Sequence, residues 1–319
     1  MNGPFIARLA LAAGLVVFPF VASDYLMVLA LRVLMYSLIV LSFSLLVSQL
    51  GLVSLLQTTF AGLGGYAVAI LAVLYGWSLP STLLASLGLV LASALLFGLI
   101  SLRASGIGFM MLTIALGQMV WALSFQWIDL TKGMDGISGV AAPIVAGLDL
   151  RDARQMYVVT VIIVAAAFTA SSVLVSSHFG LLLRGIQDNE PRMRALGHPV
   201  LRARFILFVI ASLFAGIGGM LLTWETRVIT PVSLDLSRAV WVLTAAVVGG
   251  TRSLLGVPLG VILMVTLEAV LSQYTDRHLM IFGAVLVFSI LLLPNGIAAF
   301  AADLWARFHG PTRATVVQQ

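Results

Sequence analysis

The sequence predicts an all-α integral membrane protein with about ten transmembrane helices. Two observations lead to this fold class: 61% of the 319 residues are hydrophobic and only 9% are charged, and the mean hydropathy is +1.14. Soluble domains carry roughly a quarter charged residues, so water cannot be the solvent for most of this surface. A helix needs about 20 mainly apolar residues to cross a bilayer, where its backbone groups must bond to one another. We expect residues 1–319 to form a single transmembrane domain.

Apolar runs bounded by charged or turn residues give the positions of the spans. In the first half of the chain they lie near residues 8–23, 32–50, 51–75, 82–100 and 106–128. In the second half they lie near 156–176, 205–224, 236–250, 255–273 and 278–293. Residues 1–23 also have the arginine, apolar run and small residues of a signal peptide. Because membrane-embedded sequence follows throughout, a retained first span is the better interpretation.

The distribution of charge over the loops predicts the orientation. Lys and Arg in short loops favour the cytoplasmic side, whereas acidic residues contribute little. With the N-terminus inside, the inner side receives ten arginines and three acidic residues, and the outer side receives seven basic and eight acidic residues. An even number of spans then places both termini in the cytoplasm. This asymmetry accounts for the net charge of +5 without nucleic-acid binding.

Several kinds of chemistry are excluded by the residues that the sequence lacks. There is no cysteine, and hence no disulfide, thiolate metal site or cysteine nucleophile. The sole lysine, Lys132, stands far from any Gly-x-x-x-x-Gly-Lys-Ser/Thr loop, so the chain cannot hydrolyse ATP by itself. The four histidines are scattered and form no His-Glu-x-x-His zinc motif. We therefore predict no catalytic residue, no metal and no cofactor in this chain.

Glu268 is the only carboxylate inside a well-defined predicted span. An ionised carboxylate near the bilayer centre costs roughly 2.5–3.5 kcal/mol on insertion scales, so Glu268 must have a partner or lie near a helix end. Ion-coupled carriers generally need several ionisable groups at membrane depth. A single such group disfavours coupling to an ion gradient.

The third predicted span carries a polar cluster beside small residues. The candidates are Ser54, Gln57, Thr58, Thr59, Gly62 and Gly65. Their hydroxyl and amide groups would be poorly placed against lipid, and glycines at helical spacing let two helices approach closely. These residues therefore line a translocation pathway or make interhelical contacts, and the sequence leaves both open. A similar glycine motif recurs at residues 214–219, which we interpret as coincidence in a chain rich in Gly, Ala and Phe.

The inner loop, residues 177–204, contains the most informative polar segment. The segment consists of Asp188, Asn189, Glu190, Pro191, Arg192, Met193, Arg194, Ala195, Leu196 and Gly197. It predicts a short helix, because Asp188 or Asn189 can cap it, Pro191 is tolerated in the first turn and Gly197 can end it. One interpretation is a basic loop that touches lipid headgroups. The other is a segment that docks into a cytoplasmic motor subunit through Met193 and Leu196.

Five regions of the sequence resemble the LivM family, the permease subunits of branched-chain amino acid ABC importers. One region consists of two stretches that lie close together in the chain, Arg184–Gly197 (RGIQDNEPRMRALG) and Phe208–Leu221 (FVIASLFAGIGGML). The others are Ser54–Tyr66 (SLLQTTFAGLGGY), Thr131–Ile137 (TKGMDGI), Gly249–Gly260 (GGTRSLLGVPLG) and Pro294–Ile297 (PNGI). These regions occur in the same order as in the family and cover the chain from about residue 45 to 300.

The resemblance implies a ten-helix importer permease in the bacterial inner membrane. It implies four partners: a second, LivH-like permease, two cytoplasmic ATPases that are LivG-like and LivF-like, and a periplasmic solute-binding protein. The ATPases would bind ATP and Mg, and Asp188–Gly197 would be the coupling helix that moves with them. The permease pair would then switch from inward-facing to outward-facing.

Departures from the family pattern leave the transported solute open. Lys132 stands where the family usually has Gly, Leu56 and Gly65 replace the more common Gly and Ala, and residues 251–252 interrupt a glycine-rich turn. Leucine, isoleucine and valine are the first expectation. The alternatives are related small polar solutes such as urea, amides or sugars. An ATP-independent channel for a small polar solute is the alternative from a different class.

Overall fold

The structure is a computed structural model that describes residues 18–19, 23–145, 147–251, 254, 256–271, 280–281, 283–285, 287–288 and 296–297. Within these residues, six helices are long and apolar enough to cross a membrane, and two shorter apolar helices follow them. The all-α membrane class is therefore confirmed. The first and tenth predicted spans, near 8–23 and 278–293, lie largely outside the described residues, so the count of ten stays a prediction.

The described helices follow the chain in regular order. They are α1 (Asp24–Leu50), α2 (Gln57–Ala69, extended by a wider turn at Ile70–Leu74), α3 (Leu79–Ser101), α4 (Gly106–Gln126), α5 (Ala153–Ser176), α6 (His178–Asp188), α7 (Glu190–Ala195), α8 (Val200–Thr226), α9 (Leu236–Gly249) and α10 (Gly256–Leu271). Gly51, Gln187 and Thr251 border one common hollow, which places the connections after α1, α6 and α9 on the same side. This is the side that the charge distribution assigns to the cytoplasm, and we call it the inner side.

Helices α1, α2 and α8 form the centre of the fold. In their most apolar stretches 56%, 67% and 56% of the residues are buried inside the protein, against 28%, 28% and 22% for α3, α4 and α5. A helix that is apolar all round but mostly unburied requires an apolar surrounding medium. The outer helices are therefore the lipid-facing layer around a three-helix centre.

Glycines allow α2 and α8 to touch backbone to backbone. A Cβ atom added at Gly219 would collide with the carbonyl of Ala61, and one added at Gly64 would meet the carbonyl of Gly216. Small residues at such positions are the usual means of close helix contact in membranes. The two similar glycine motifs, which the sequence analysis treated as coincidental, thus pack against each other.

The predicted start of the third span was wrong. Residues 51–56 are not helical, and α2 begins at Gln57. Gly51 adopts φ 64°, a conformation that glycine tolerates, and ends α1 there. Ser54, Leu55 and Leu56 are nevertheless buried. Irregular backbone of this kind is tolerated in a membrane protein where other protein segments surround it.

A second helix of the inner loop was missed by the sequence analysis. Helix α6 precedes α7, and its apolar side buries Leu183 and Ile186. The Ser177 side chain caps α6 by accepting a hydrogen bond from Gly180 N at 3.3 Å. The inner loop is therefore anchored to the helix bundle along one face.

Four two-residue strands cover part of the outer side. They are β1 (Ile137–Ser138), β2 (Ile144–Val145), β3 (Leu148–Asp149) and β4 (Val228–Ile229), and they pair antiparallel as β1 with β4 and β2 with β3. A 3₁₀ turn at Pro231–Leu234 follows β4, and the Leu234 side chain lies directly on Gly62 of α2. The segment between α8 and α9 thus packs against α2 at Gly62.

Candidate functional site

The short helix predicted in the inner loop is confirmed as α7. Asn189 caps it by accepting a hydrogen bond from Arg192 N at 2.9 Å, and Pro191 lies in its first turn. Gly197 follows with φ 81°. These are the cap, first-turn and terminating residues that the sequence indicated, because each depends only on its near neighbours in the chain.

Glu190 joins α7 to the inner end of α8. One carboxylate oxygen accepts from Arg194 Nη2 at 2.6 Å, and the other accepts from Arg204 Nη2. The Arg194 side chain is 64% exposed, whereas that of Arg204 is only 9% exposed. The pair between Glu190 and Arg204 is the better shielded of the two from water and joins α7 to α8, whereas the pair with Arg194 lies within α7.

The exposed surface of the segment Asp188–Gly197 is polar and basic, with Leu196 as its large exposed apolar side chain. Leu196 is 67% exposed, and Arg192 and Arg194 are exposed beside it. Met193 is partly buried and packs against Gly185 of α6, so its expected docking role stays a prediction. Its flexible side chain fills the space that the missing Cβ of Gly185 leaves. Leu196 is therefore the most exposed apolar side chain of this segment.

A cavity of about 200 Å³ lies between the middle of α1, the first turns of α2 and α9 and the last turns of α8, and it also borders the outer segment at residues 228–233; we call it the outer cavity. Its walls combine apolar side chains with hydroxyl groups and one guanidinium. Residues that line it include Tyr36, Ile39, Thr58, Gly62, Leu222, Thr223, Thr226, Ile229, Ser233, Arg238 and Val242. A mainly apolar concavity with a few placed polar groups is typical of a small-molecule site.

The predicted residues of the third span divide between this cavity and helix contacts. Thr58 and Gly62 line the cavity. Gln57 accepts a hydrogen bond from Ser42 Oγ at 3.0 Å, and Thr59 packs against Gly117. Gly65 adjoins Thr223 and Ile229, and Ser54 is buried before α2 begins. The structure thus brings two of the six candidates to the cavity and places the other four against neighbouring segments.

Two ion pairs stand beside the cavity. Arg238 Nη1 donates to Glu268 Oε1 at 2.9 Å, and Arg32 Nε donates to Glu225 Oε1 at 3.3 Å. A second hollow of about 380 Å³, bordered by Arg32, Arg238 and Glu268, adjoins the first. Glu268 therefore has a partner and also lies near a helix end. The sequence indicated that Glu268 needs a partner but did not identify Arg238 as that partner. Arg238 lies at the start of a helix, where it resembles an ordinary loop charge.

The described residues hold no group of three or more His, Cys, Asp or Glu side chains placed to bind a metal ion. The polar side chains that line the two hollows carry hydroxyls or belong to ion pairs. Such groups can bind and orient a polar solute by hydrogen bonds.

Comparison with known proteins supports a transport role. Residues 25–290 match the family described as branched-chain amino acid transport system / permease component. The high-affinity branched-chain amino acid transport system permease protein LivM of Escherichia coli (strain K12) is 26% identical over 316 residues, covering 92% of this chain and 73% of that protein. The protein of the same name from Salmonella typhimurium is 25% identical over 313 residues, covering 91% and 73%. No solved structure shows a significant match.

The resemblance to the LivM family is thereby confirmed. A permease component is a transport subunit that works within a larger system, and the apolar helices make it a multi-pass inner-membrane protein. Since the family match covers most of the sequence, the chain belongs to the family of branched-chain amino acid transport system permease components.

Proposed function

We propose that this chain is one of two permease subunits in an ABC importer for leucine, isoleucine and valine. Its partners are a second permease, two cytoplasmic ATPases that bind ATP and Mg, and a periplasmic solute-binding protein. Both termini lie in the cytoplasm. The chain itself holds no cofactor and contributes the passage and the contact with the ATPases, with Asp188–Gly197 as the coupling segment.

The observation that carries this proposal is the attachment of the inner loop to α8. Glu190 on α7 pairs with Arg204, which lies near the start of α8. Leu222, Thr223 and Thr226, near the other end of α8, line the outer cavity. Because a helix rises 1.5 Å per residue, Arg204 and Thr226 are separated by about 33 Å along one rigid element. A displacement of α7 by an ATPase would therefore reach the cavity through a single helix.

Uptake by the reconstituted complex tests the function. Liposomes that contain both permeases and both ATPases, with the binding protein outside and ATP inside, should accumulate leucine. Liposomes with a non-hydrolysable ATP analogue, and liposomes with the permease pair alone, are the controls, and neither should accumulate it. Equal leucine uptake with and without ATP would overturn the proposal in favour of a passive channel.

Competing solutes test the substrate in the same preparation. Isoleucine and valine should inhibit leucine uptake, because they share its charged groups and branched aliphatic side chain. Urea, acetamide and ribose at the same concentration should not. Strong inhibition by one of these three solutes would reassign the substrate.

A further inference from the structure

The outer cavity contains a guanidinium with hydrogen-bonding capacity to spare. Arg238 borders both the 200 Å³ cavity and the adjoining hollow. An arginine side chain carries five N–H donors, and among the described residues Arg238 uses Nη1 alone, in its bond to Glu268. Its side chain is 34% exposed, so the remaining donors can reach a solute. We propose, on the basis of the function proposed above, that Arg238 and Glu268 bind the carboxylate and the ammonium group of the transported amino acid.

Charge balance favours a zwitterion at this position. Arg238 and Glu268 form a neutral pair, as do Arg32 and Glu225 beside them. A zwitterion that inserts between Arg238 and Glu268 replaces one ion pair by two and leaves no charge uncompensated. A purely anionic or cationic solute would leave one protein charge without a partner at an apolar site, which is costly. The pair therefore selects for solutes that carry both charges.

The surrounding walls fit a branched aliphatic side chain. Ile39, Leu222 and Val242 line the cavity on the side of α1, α8 and α9. Thr226 and Tyr36 border both hollows and lie between the apolar wall and the charged pair. A solute with a charged head and a short apolar side chain can thus contact Arg238 and the apolar wall at once. Burial of a leucine-sized side chain contributes about 1.5–3 kcal/mol.

A structural role for the ion pair predicts a different outcome from a binding role. If the pair between Arg238 and Glu268 only held α9 to α10, its removal would change the stability of the protein but not its preference among solutes. A binding role requires that removal of the pair abolish discrimination between leucine and analogues that lack one charged group. Solute preference is therefore the decisive measurement.

The experiment measures binding of leucine, leucinamide and 4-methylpentanoate to the complete importer in lipid nanodiscs, without the binding protein. Leucinamide lacks the carboxylate and 4-methylpentanoate lacks the ammonium group. Saturation-transfer NMR titrations give the dissociation constants. For the wild-type complex we expect both analogues to bind about tenfold or more weakly than leucine, because each loses a charge-assisted hydrogen bond.

The double variant Arg238→Gln/Glu268→Gln removes both charges together and should bind leucine about tenfold or more weakly, and no better than leucinamide. Arg238→Lys keeps the charge and serves as the variant that retains the pair. Its affinity for leucine should lie between those of the wild type and the double variant. The ammonium group of Lys keeps the positive charge but lacks the planar guanidinium that can donate two parallel hydrogen bonds to a carboxylate. Arg154→Gln is the matched control, since Arg154 is an exposed outer arginine that does not line either hollow.

Two results would overturn this site. One is an unchanged dissociation constant for leucine in the double variant, and the other is equal binding of leucine and leucinamide by the wild type. ATP-dependent leucine uptake by the same wild-type preparation is measured in parallel. Retained uptake together with either result would reject the site alone, whereas absent uptake would reject the proposed function.

Discussion

Glu190 fixes the position of α7 more than any other described residue of the inner loop. It accepts hydrogen bonds from Arg194 within α7 and from Arg204 at the base of α8. Arg204 is nearly buried, so its charge depends on this carboxylate for compensation. Loss of one partner of a buried pair costs more than the pair contributes, since an unpaired charge is left behind.

Single replacements of Arg204 and Arg194 distinguish the contribution of the buried ion pair of Glu190 from that of its exposed ion pair. Arg204→Gln should lower the free energy of unfolding of the purified importer by about 2 kcal/mol, because α7 loses its charge-assisted hydrogen bond to α8 while Glu190 keeps Arg194 as a partner. Arg194→Gln, the matched control on the same carboxylate, should lower it by less than about 1 kcal/mol, because that pair is largely exposed. Denaturation of both variants in detergent gives the comparison. Equal destabilisation of the two variants would contradict the role assigned to Arg204.

For single residues, the sequence predicted the features that depend on near neighbours in the chain, such as helix caps. It did not predict which distant residues would be their partners. The cap at Asn189 and the terminating Gly197 follow from residues within one turn. The partners of Glu190 and Glu268 lie 14 and 30 residues away and depend on how helices pack. The packing of Met193 against Gly185 likewise depends on tertiary structure and has no local sequence signal.

The contact between α2 and α8 is the central element of the fold. Gly64 faces Gly216, and Gly219 faces Ala61, so the two backbones touch over about one turn. Glycine in a helix costs about 1 kcal/mol relative to alanine, and close packing of the two helices offsets that cost. The cavity lies beside this contact, with Gly62 and Gly219 in its wall.

Alanine substitutions test the contact with a matched control. Gly219→Ala should destabilise the protein by about 1–3 kcal/mol, because the added methyl group overlaps the Ala61 carbonyl and the helices must separate. Gly88→Ala in α3 adds the same methyl group where nothing lies within 4 Å, so it should be neutral or slightly stabilising. Thermal unfolding of both variants measures the difference. A Gly219→Ala protein as stable as Gly88→Ala would argue against close packing.

The sequence located most helices to within a few residues because apolar runs of membrane length are a strong signal. It placed the third span too early because residues 51–56 are as apolar as the helix that follows them, and only their conformation separates the two. The strands β1 to β4 contain two residues each, too few to give an alternating pattern. The pairing of the two glycine motifs was missed because similarity along the chain does not by itself indicate contact.

On the scale of the whole molecule, the two sides present different surfaces. The inner side presents a basic, capped helix with one exposed leucine, whereas the outer side presents a cavity bordered by paired charges. Helix α8 connects the two. Composition predicted the membrane class and the basic inner side, but the cavity lies between the consecutive helices α1 and α2 and the consecutive helices α8 and α9, two pairs that are distant from each other in sequence, and no local pattern indicates it.

The central claim is that an ATPase subunit acts on the inner loop from the cytoplasm. The chain contains no cysteine, so Leu196→Cys introduces a single attachment point for benzophenone maleimide. Thr230→Cys, on the outer side, is the matched control. In the assembled importer, we expect Leu196→Cys to be labelled only from the cytoplasmic side and to crosslink to an ATPase subunit on illumination, and Thr230→Cys to do neither. Labelling of Leu196→Cys from the periplasm, or the absence of any crosslink to an ATPase, would contradict the account.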